Sequence, residues 1–390
     1  MIPDLNQVID RKNTNSLKWG SKKYSKDILP MWVADMDFPV PAEVTQALIE
    51  RAKHPIYGYS RPDDRYYNSI IKWMKTRHGW EIEKDWIVFS PGVVPALTWL
   101  IQALSHPGDK VIIQQPVYYP FAVSIENNGR GILNNPLINK NGKYYMDFED
   151  LEKKASDPRA KMMILCNPHN PIGKVLSREE LEKVAEICLR HHIIVVADEI
   201  HSDLVYKGHK HIPFASISKE AEQNSIVCNA PSKTFNLAGM DASNIIIPNP
   251  VLRNAFKNAL ANNSIMGPHT FAIVALQTAY ESGQEWLDTV IDYLDKNITF
   301  LCDYIEKNMP QIKVIRPQAT YLVWMDFRAL GMNPQQLEEF MLKEAKVALD
   351  EGYTFGLGGE GFERINVACP RALLKEGLDR IKNAIDSLKM

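Results

Sequence analysis

The 390-residue sequence is poor in cysteine, and its five cysteines include no CxxC pair. This argues against a disulfide framework and a zinc site, so we predict reduced core thiols. Charge of one sign is not in excess either, because 45 lysines and arginines nearly balance 47 aspartates and glutamates. No basic field is available to hold nucleic acid or an anionic membrane. A small molecule is therefore the expected partner.

Long hydrophobic runs are also missing. No apolar stretch approaches the roughly 20 residues that cross a bilayer, and the N-terminus mixes charges and amides without the apolar core of a signal peptide. We expect a soluble cytoplasmic protein. Hydrophobic residues make up 45% and charged residues 24%, which is ordinary globular composition.

Short β-branched segments alternate with amphipathic helical segments through the middle of the chain, which predicts an α/β fold with a mostly parallel sheet. A capping-box pattern at Ser177 and Glu180 predicts a helix start. An apolar stripe from Trp286 to Ile305 predicts one long helix. The candidate strands are 86–90, 110–114, 162–166, 193–198, 225–229 and 244–247.

We place a domain boundary near Gly283. Residues 41–283 would form a large domain, and residues 284–390 a smaller α/β unit. The first 40 residues, rich in Pro, Asp and Asn, are expected to form an extended arm that packs on this smaller unit.

Chemically useful side chains follow the candidate strands, and ligands of open α/β sheets bind beyond the carboxyl ends of strands. Gly92 precedes a helical run expected from residue 96, Asn170 lies in an Asn-Pro loop, Asp198 ends an apolar strand, and Lys233 lies in a polar turn. Taken singly, each has an ordinary structural explanation, and His201 suits a core histidine. Together they supply the phosphate cup, phenolic-oxygen donor, ring-nitrogen acid and Schiff-base lysine that pyridoxal phosphate requires.

The motifs NPHNPIG (167–173), DEIH (198–201) and PSKTFNLAG (231–239) follow one another along the chain. In this order the sequence resembles the fold-type I pyridoxal-phosphate enzymes of the class I/II aminotransferase superfamily. Four further segments are similar to the MalY/PatB-type cystathionine β-lyase branch: PMWVADMDFPVP (30–41), HPIYGYSRP (54–62), SPGVVPAL (90–97) and RINVACPR (364–371).

The resemblance implies that Lys233 forms the Schiff base with the cofactor and that Asp198 pairs with the pyridinium nitrogen. Asn170 and His201 would address the phenolic oxygen. Tyr118 matches the aromatic side chain that stacks on the cofactor ring, with the neighbouring Tyr119 as an alternative.

The same resemblance assigns the cofactor phosphate to the backbone at Gly92, Val93 and Val94 and to the hydroxyl of Ser232. Tyr59 would reach that phosphate from the other subunit, which implies a homodimer with shared active sites. Many aminotransferases of this fold carry a phosphate-binding arginine eight residues after the lysine. Here that position is Asp241, so the phosphate must be held differently, and the β-lyase branch also lacks that arginine.

For the substrate, the resemblance implies that Arg371 binds the α-carboxylate with its bidentate fork. Asn170 and the backbone of Ala34 would assist, and Arg364 would be structural. The implied activity is cleavage of the Cβ–S bond of L-cystathionine or another L-cysteine S-conjugate, releasing a thiol, pyruvate and ammonia. The alternatives are a class I/II aminotransferase and, in another class, a cofactor-binding regulatory protein.

Overall fold

The computed structural model describes residues 3–21 and 23–388. Its strands, in chain order, are β1 (Leu29–Pro30), β2 (Ile87–Ser90), β3 (Lys110–Ile113), β4 (Gly131–Asn134), β5 (Ile138–Lys140), β6 (Lys143–Tyr145), β7 (Ala160–Cys166), β8 (Ile194–Asp198), β9 (Ser225–Asn229), β10 (Ser243–Ile246), β11 (Lys313–Ile315), β12 (Leu322–Asp326), β13 (Val347–Ala348), β14 (Asp350–Glu351) and β15 (Phe362–Asn366).

A seven-stranded sheet of order β2-β10-β9-β8-β7-β3-β4 forms the centre of the molecule. Only β10 runs antiparallel to its neighbours; the remaining pairs are parallel. The α/β fold with a mostly parallel sheet is thus confirmed. All six predicted strands are present within two residues of the expected ends, while β4 was not predicted.

The sheet register brings the ends of three central strands together. Cys166 of β7 lies opposite Asp198 of β8, which in turn lies opposite Cys228 of β9. The loop after β7, the carboxylate that ends β8 and the turn after β9 therefore meet at one edge. Because β7, β8 and β9 are almost wholly buried, this edge is fixed by the core.

Thirteen α-helices flank the sheets in the described part of the chain. They are α1 (Ala42–Lys53), α2 (Asp64–His78), α3 (Val93–Leu104), α4 (Pro120–Asn127), α5 (Phe148–Ala155), α6 (Arg178–Arg190), α7 (Lys219–Gln223), α8 (Pro231–Thr234), α9 (Pro250–Asn262), α10 (Thr270–Ser282), α11 (Gln284–Asn308), α12 (Pro334–Glu339) and α13 (Arg371–Ser387).

Two predicted helices are confirmed, and a third begins earlier than expected. The capping box of Ser177 and Glu180 starts α6, and α11 contains the long apolar stripe. Helix α3, expected from residue 96, begins at Val93. Proline is tolerated in the first helical turn, where its missing N–H has no partner to lose, so Pro95 does not delay the start.

A second sheet of order β11-β12-β15-β14 packs with α11 and α13. The N-terminal arm lies against this part, as expected: β1 pairs with β13, and the Asp37 amide donates to the Ala368 carbonyl at 2.8 Å. The boundary at Gly283, between α10 and α11, stays a prediction.

The five cysteines are free, and all but the half-buried Cys302 lie in the core: Cys166, Cys188, Cys228 and Cys369. No helix within residues 3–21 and 23–388 is long and apolar enough to cross a membrane.

Candidate active site

A cavity of about 250 Å³ opens at the sheet edge where β7, β8 and β9 end. The structure brings most of the predicted site residues to its wall. These are Gly92, Val93, Val94, Tyr118, Asn170, Asp198, His201, Ser232 and Lys233.

The Lys233 side chain projects from the short helix α8 into this cavity. Its Nζ donates to the Ala34 carbonyl at 2.7 Å, and the Tyr321 hydroxyl donates to the same oxygen at 2.9 Å. Burial, with the nearby Arg364 cation, lowers the Lys233 pKa from 10.5 to about 8. About a tenth of the amine is therefore neutral at pH 7, far more than for an ordinary lysine, and the neutral form is the one that acts as a nucleophile or a base. Ala34 thus contacts the lysine through its carbonyl oxygen.

The arm is held over Lys233 by Asn236, three residues further along the chain. The Asn236 Oδ1 accepts from the Met36 amide at 2.9 Å, and its Nδ2 donates to the Met36 and Phe38 carbonyls at 3.0 Å. Asn236 adopts a positive φ of 58°, a conformation that asparagine tolerates better than most residues. The position of Ala34 is therefore tied to the lysine turn.

Asp198 is buried at the end of β8, and its carboxylate accepts from the Ile200 amide at 3.2 Å. No cationic side chain among the described residues forms an ion pair with it. Burial raises the Asp198 pKa from 3.8 to about 7, although Lys233 acts in the opposite direction. Such a carboxylate is poised to accept a cationic or N–H partner in the cavity.

His201 and Asn170 both line the cavity. Burial, with the Lys233 and Arg364 charges, lowers the His201 pKa to about 3, so its imidazole is neutral. Its Nδ1 is buried without a hydrogen-bond partner among the described residues. The Asn170 Oδ1 accepts from the Arg364 Nη1 at 2.9 Å. The histidine therefore retains an unused polar atom, as a ligand contact would need.

The two arginines of RINVACPR lie in different places, and the structure contradicts the assignment of Arg371 to this cavity. The Arg371 Nε donates to Asn297 of α11 at 2.7 Å, and its guanidinium lies over the Phe300 ring. Arg364, on β15, instead reaches Asn170 and lowers the pKa of Lys233. Arg364 lies on β15, which ends at Asn366, whereas Arg371 is the first residue of α13. The two side chains therefore lie on different elements. Arg364 is thus the arginine next to the cavity, where it contacts the wall residue Asn170.

An anion cradle is formed by the N-terminus of the twelve-residue α3, where Gly92 is the N-cap. The amides of Val93 and Val94 begin this helix, and a helix N-terminus favours negative charge. Ser232 and Asp241 also line the cavity. Because the Asp241 carboxylate would repel an anion, anion binding in the cradle depends on backbone amides and hydroxyl groups.

The three tyrosines predicted from the sequence differ in their exposure to solvent. Tyr118 lines the cavity, and burial raises its pKa to about 12, whereas Tyr119 is 37% exposed and packs edge-on to Phe355 at the rim. Tyr59 is fully exposed on an extended segment and does not line the cavity of its own chain. Its expected role across a subunit boundary stays a prediction.

Two cavity neighbours, Arg364 and Tyr321, were missed as site residues. One signal was available for Arg364: a strand buried at every position, Phe362–Asn366, carries an arginine that must have polar partners. No local pattern marks Tyr321, because its hydroxyl reaches Ala34 across 287 positions of sequence.

A cavity lysine and carboxylate at neighbouring strand ends, beside a helix N-terminus on a mostly parallel seven-stranded sheet, define the fold-type I class of pyridoxal-phosphate enzymes. The chain belongs to the aminotransferase class I and II family, whose family model matches residues 26–381. The resemblance inferred from the motifs is thereby confirmed.

The chain is similar along almost its whole length to three proteins, one of which is named a cystathionine beta-lyase. The chain is 49% identical to cystathionine beta-lyase PatB of Bacillus subtilis over 96% of this chain and 98% of that protein. It is 34% identical to protein MalY of Escherichia coli, covering 99% and 100% of the two chains. Cystalysin from Treponema denticola, whose crystal structure contains a pyridoxal 5'-phosphate cofactor, superposes with a TM-score of 0.97 at 42% identity, covering 100% of both chains.

Proposed function

We propose that the protein is a pyridoxal-phosphate-dependent lyase that cleaves the Cβ–S bond of L-cystathionine or a related L-cysteine S-conjugate. The products are a thiol, pyruvate and ammonia. The observation that carries this proposal is the 49% identity to a cystathionine beta-lyase along almost the whole chain. The cavity supports it with a lysine and a buried carboxylate on its wall, and with Arg364 bound to the wall residue Asn170.

Pyridoxal 5'-phosphate fits the residues of this cavity. The buried Asp198 carboxylate, without an ion-pair partner among the described residues, suits a protonated ring nitrogen. The unpartnered Nδ1 of His201 offers a polar contact on the same side. The first amides of α3 and the Ser232 hydroxyl suit the phosphate, and Tyr118 lies where an aromatic ring could cover the cofactor. We assign the cofactor to these residues.

When bound, the cofactor supplies an electron sink that stabilises negative charge at the substrate Cα. Lys233 accepts the α-proton on Nζ, since its lowered pKa leaves the amine able to act as a base near neutral pH. The Ala34 carbonyl holds that Nζ within 2.7 Å. Arg364 binds the substrate α-carboxylate, and Asn170 orients its guanidinium through Nη1.

We also propose a homodimer with shared active sites. The segment around Tyr59 exposes three large apolar side chains, with exposures of 68% for Ile56, 58% for Tyr57 and 112% for Tyr59. Such a cluster on an extended segment is typical of a surface that another chain covers. Tyr59 would then reach the phosphate cradle of the partner subunit.

The reaction is tested with purified holoenzyme and L-cystathionine in the absence of any keto acid. Pyruvate and free thiol should appear in equal amounts, because one Cβ–S cleavage yields both. An enzyme that releases no thiol, and turns over only when a keto acid is added, would be an aminotransferase and would overturn the proposed reaction.

Asp198→Asn should stabilise the cofactor-free protein and weaken its binding of the cofactor. In the cofactor-free protein, the folded pKa of about 7 exceeds the ordinary 3.8, so stability falls as pH rises between these values and stays low above them. A neutral asparagine avoids this loss, which is at most about 4 kcal/mol. At pH 8 the cofactor-free variant should therefore unfold at higher urea concentration than wild type.

The cofactor-loaded form provides the control. There, Asp198→Asn should weaken cofactor retention during dialysis, because the partner of the ring nitrogen is lost. A variant that is less stable than wild type without cofactor, yet retains cofactor normally, would contradict the assignment.

A further inference from the structure

Asp350 is a buried carboxylate in contact with Arg364, the arginine next to the cavity. It lies on β14 directly opposite Arg364 of β15, and its carboxylate forms an ion pair with the Arg364 Nη2. The two side chains are only 8% and 3% exposed. Burial raises the pKa of Tyr119, and the negative charge of Asp350 adds to that rise. A carboxylate of the protein itself, that of Asp350, is therefore bound to Arg364, the arginine on which the proposed function depends.

The remaining donors of Arg364 show what this contact does. Nη1 donates to Asn170, Nη2 also donates to the Trp32 carbonyl at 3.0 Å, and Nε is buried without a partner. A guanidinium binds a carboxylate with two N–H groups on one edge. The two edges that offer such a pair are Nη1/Nη2 and Nε/Nη2, so both include Nη2. Both Nη2 contacts are already made within the protein. A bidentate substrate carboxylate must therefore displace one of them.

We propose that Asp350 is an affinity-setting residue that occupies the Arg364 fork as an internal carboxylate until the α-carboxylate of the substrate exchanges with it. This inference rests on the proposed function of Arg364. The Trp32 carbonyl is neutral, whereas the Asp350 carboxylate and the substrate carboxylate repel each other. The substrate therefore displaces Asp350 from Nη2. Part of the attraction of Arg364 for the substrate is thereby offset, which keeps carboxylate binding weak and reversible.

A merely structural role predicts the opposite effect of removing the charge. If Asp350 only orients Arg364, its loss should loosen carboxylate binding. If it competes, Asp350→Asn should tighten binding, because the asparagine oxygen can still accept from Nη2 but carries no charge. We expect about a tenfold lower Kd for a simple monocarboxylate and a similarly lower KM for L-cystathionine, with kcat little changed.

The probe is propionate, which has a carboxylate but no amino group to react with the cofactor. Its binding to the holoenzyme is measured by calorimetry for wild type and Asp350→Asn, with cofactor content and circular dichroism confirming a folded protein. Asp350→Ser, smaller and also neutral, should show the same tightening if the asparagine variant does not fold. The matched control is Asp326→Asn, which removes a carboxylate paired with Arg328 in the same sheet, and it should leave the Kd unchanged.

The outcomes separate this inference from the proposed function. Equal or weaker propionate binding by the neutral Asp350 variants would overturn the competition. An Arg364→Lys variant tests the site itself: if it binds propionate as wild type does, Arg364 is not the carboxylate site. Weaker binding in Arg364→Lys than in wild type, together with tighter binding in Asp350→Asn, is the expected pair of results.

Discussion

Replacing Lys233 by alanine should reduce the rate of thiol release from L-cystathionine by at least about a thousandfold. The reason is geometric as well as chemical. Its amine has a pKa lowered to about 8 and lies 2.7 Å from the Ala34 carbonyl, beside the buried Asp198. Alanine removes both the group that would hold the cofactor covalently and the proposed base. The visible absorbance of the lysine-bound cofactor should disappear together with activity.

Lys174→Ala is the matched control for this variant. Lys174 is also partly buried, but its Nζ pairs with Glu180 and the Tyr144 carbonyl instead of lining the cavity. Its loss should leave the absorbance and kcat near wild type. A Lys233→Ala protein that keeps its cofactor absorbance and turns over normally would remove Lys233 from the reaction.

Arg364 and Arg371 should respond very differently to the same substitution. Arg364→Gln is expected to raise KM for L-cystathionine roughly a hundredfold, since a charge-assisted, two-pronged carboxylate contact contributes about 3 kcal/mol. Arg371→Gln should leave KM within about twofold, because its guanidinium contacts Asn297 and Phe300 on α11. Steady-state kinetics of the two variants decide between the positions.

Arg364→Lys keeps the charge but cannot form the two-pronged fork, so it should lie between wild type and the glutamine variant. A large KM effect at Arg371 with none at Arg364 would restore the assignment made from the sequence. Cofactor absorbance and thermal unfolding are followed in parallel, because Arg364 also pairs with the buried Asp350.

Much of the fold and of the cofactor cavity could be predicted from the sequence, because local patterns determine them. The apolar strand before Asp198 and the Ser177 capping box are visible in single segments, and parallel strands place their carboxyl ends at one edge. The cavity residues at these strand ends therefore come together as expected.

The arginine assignment failed for a physical reason. Arg364 and Arg371 are seven residues apart in one motif, and the chain changes from strand β15 to helix α13 between them. Contacts that depend on distant segments, such as the ion pair of Arg364 with Asp350, are likewise not visible in the sequence. Tertiary packing decides which side chain faces the cavity.

The contacts of the N-terminal arm have a consequence for the order of folding. Trp32 reaches Arg364 across 332 positions, and Leu29 pairs with Val347. On the ribosome, the arm emerges long before Val347 and Arg364, although Asn236, which also binds it, is synthesised earlier than these two residues. Contacts of such high sequence separation form slowly. The carboxylate site should therefore be completed after translation, later than the central sheet that carries Lys233.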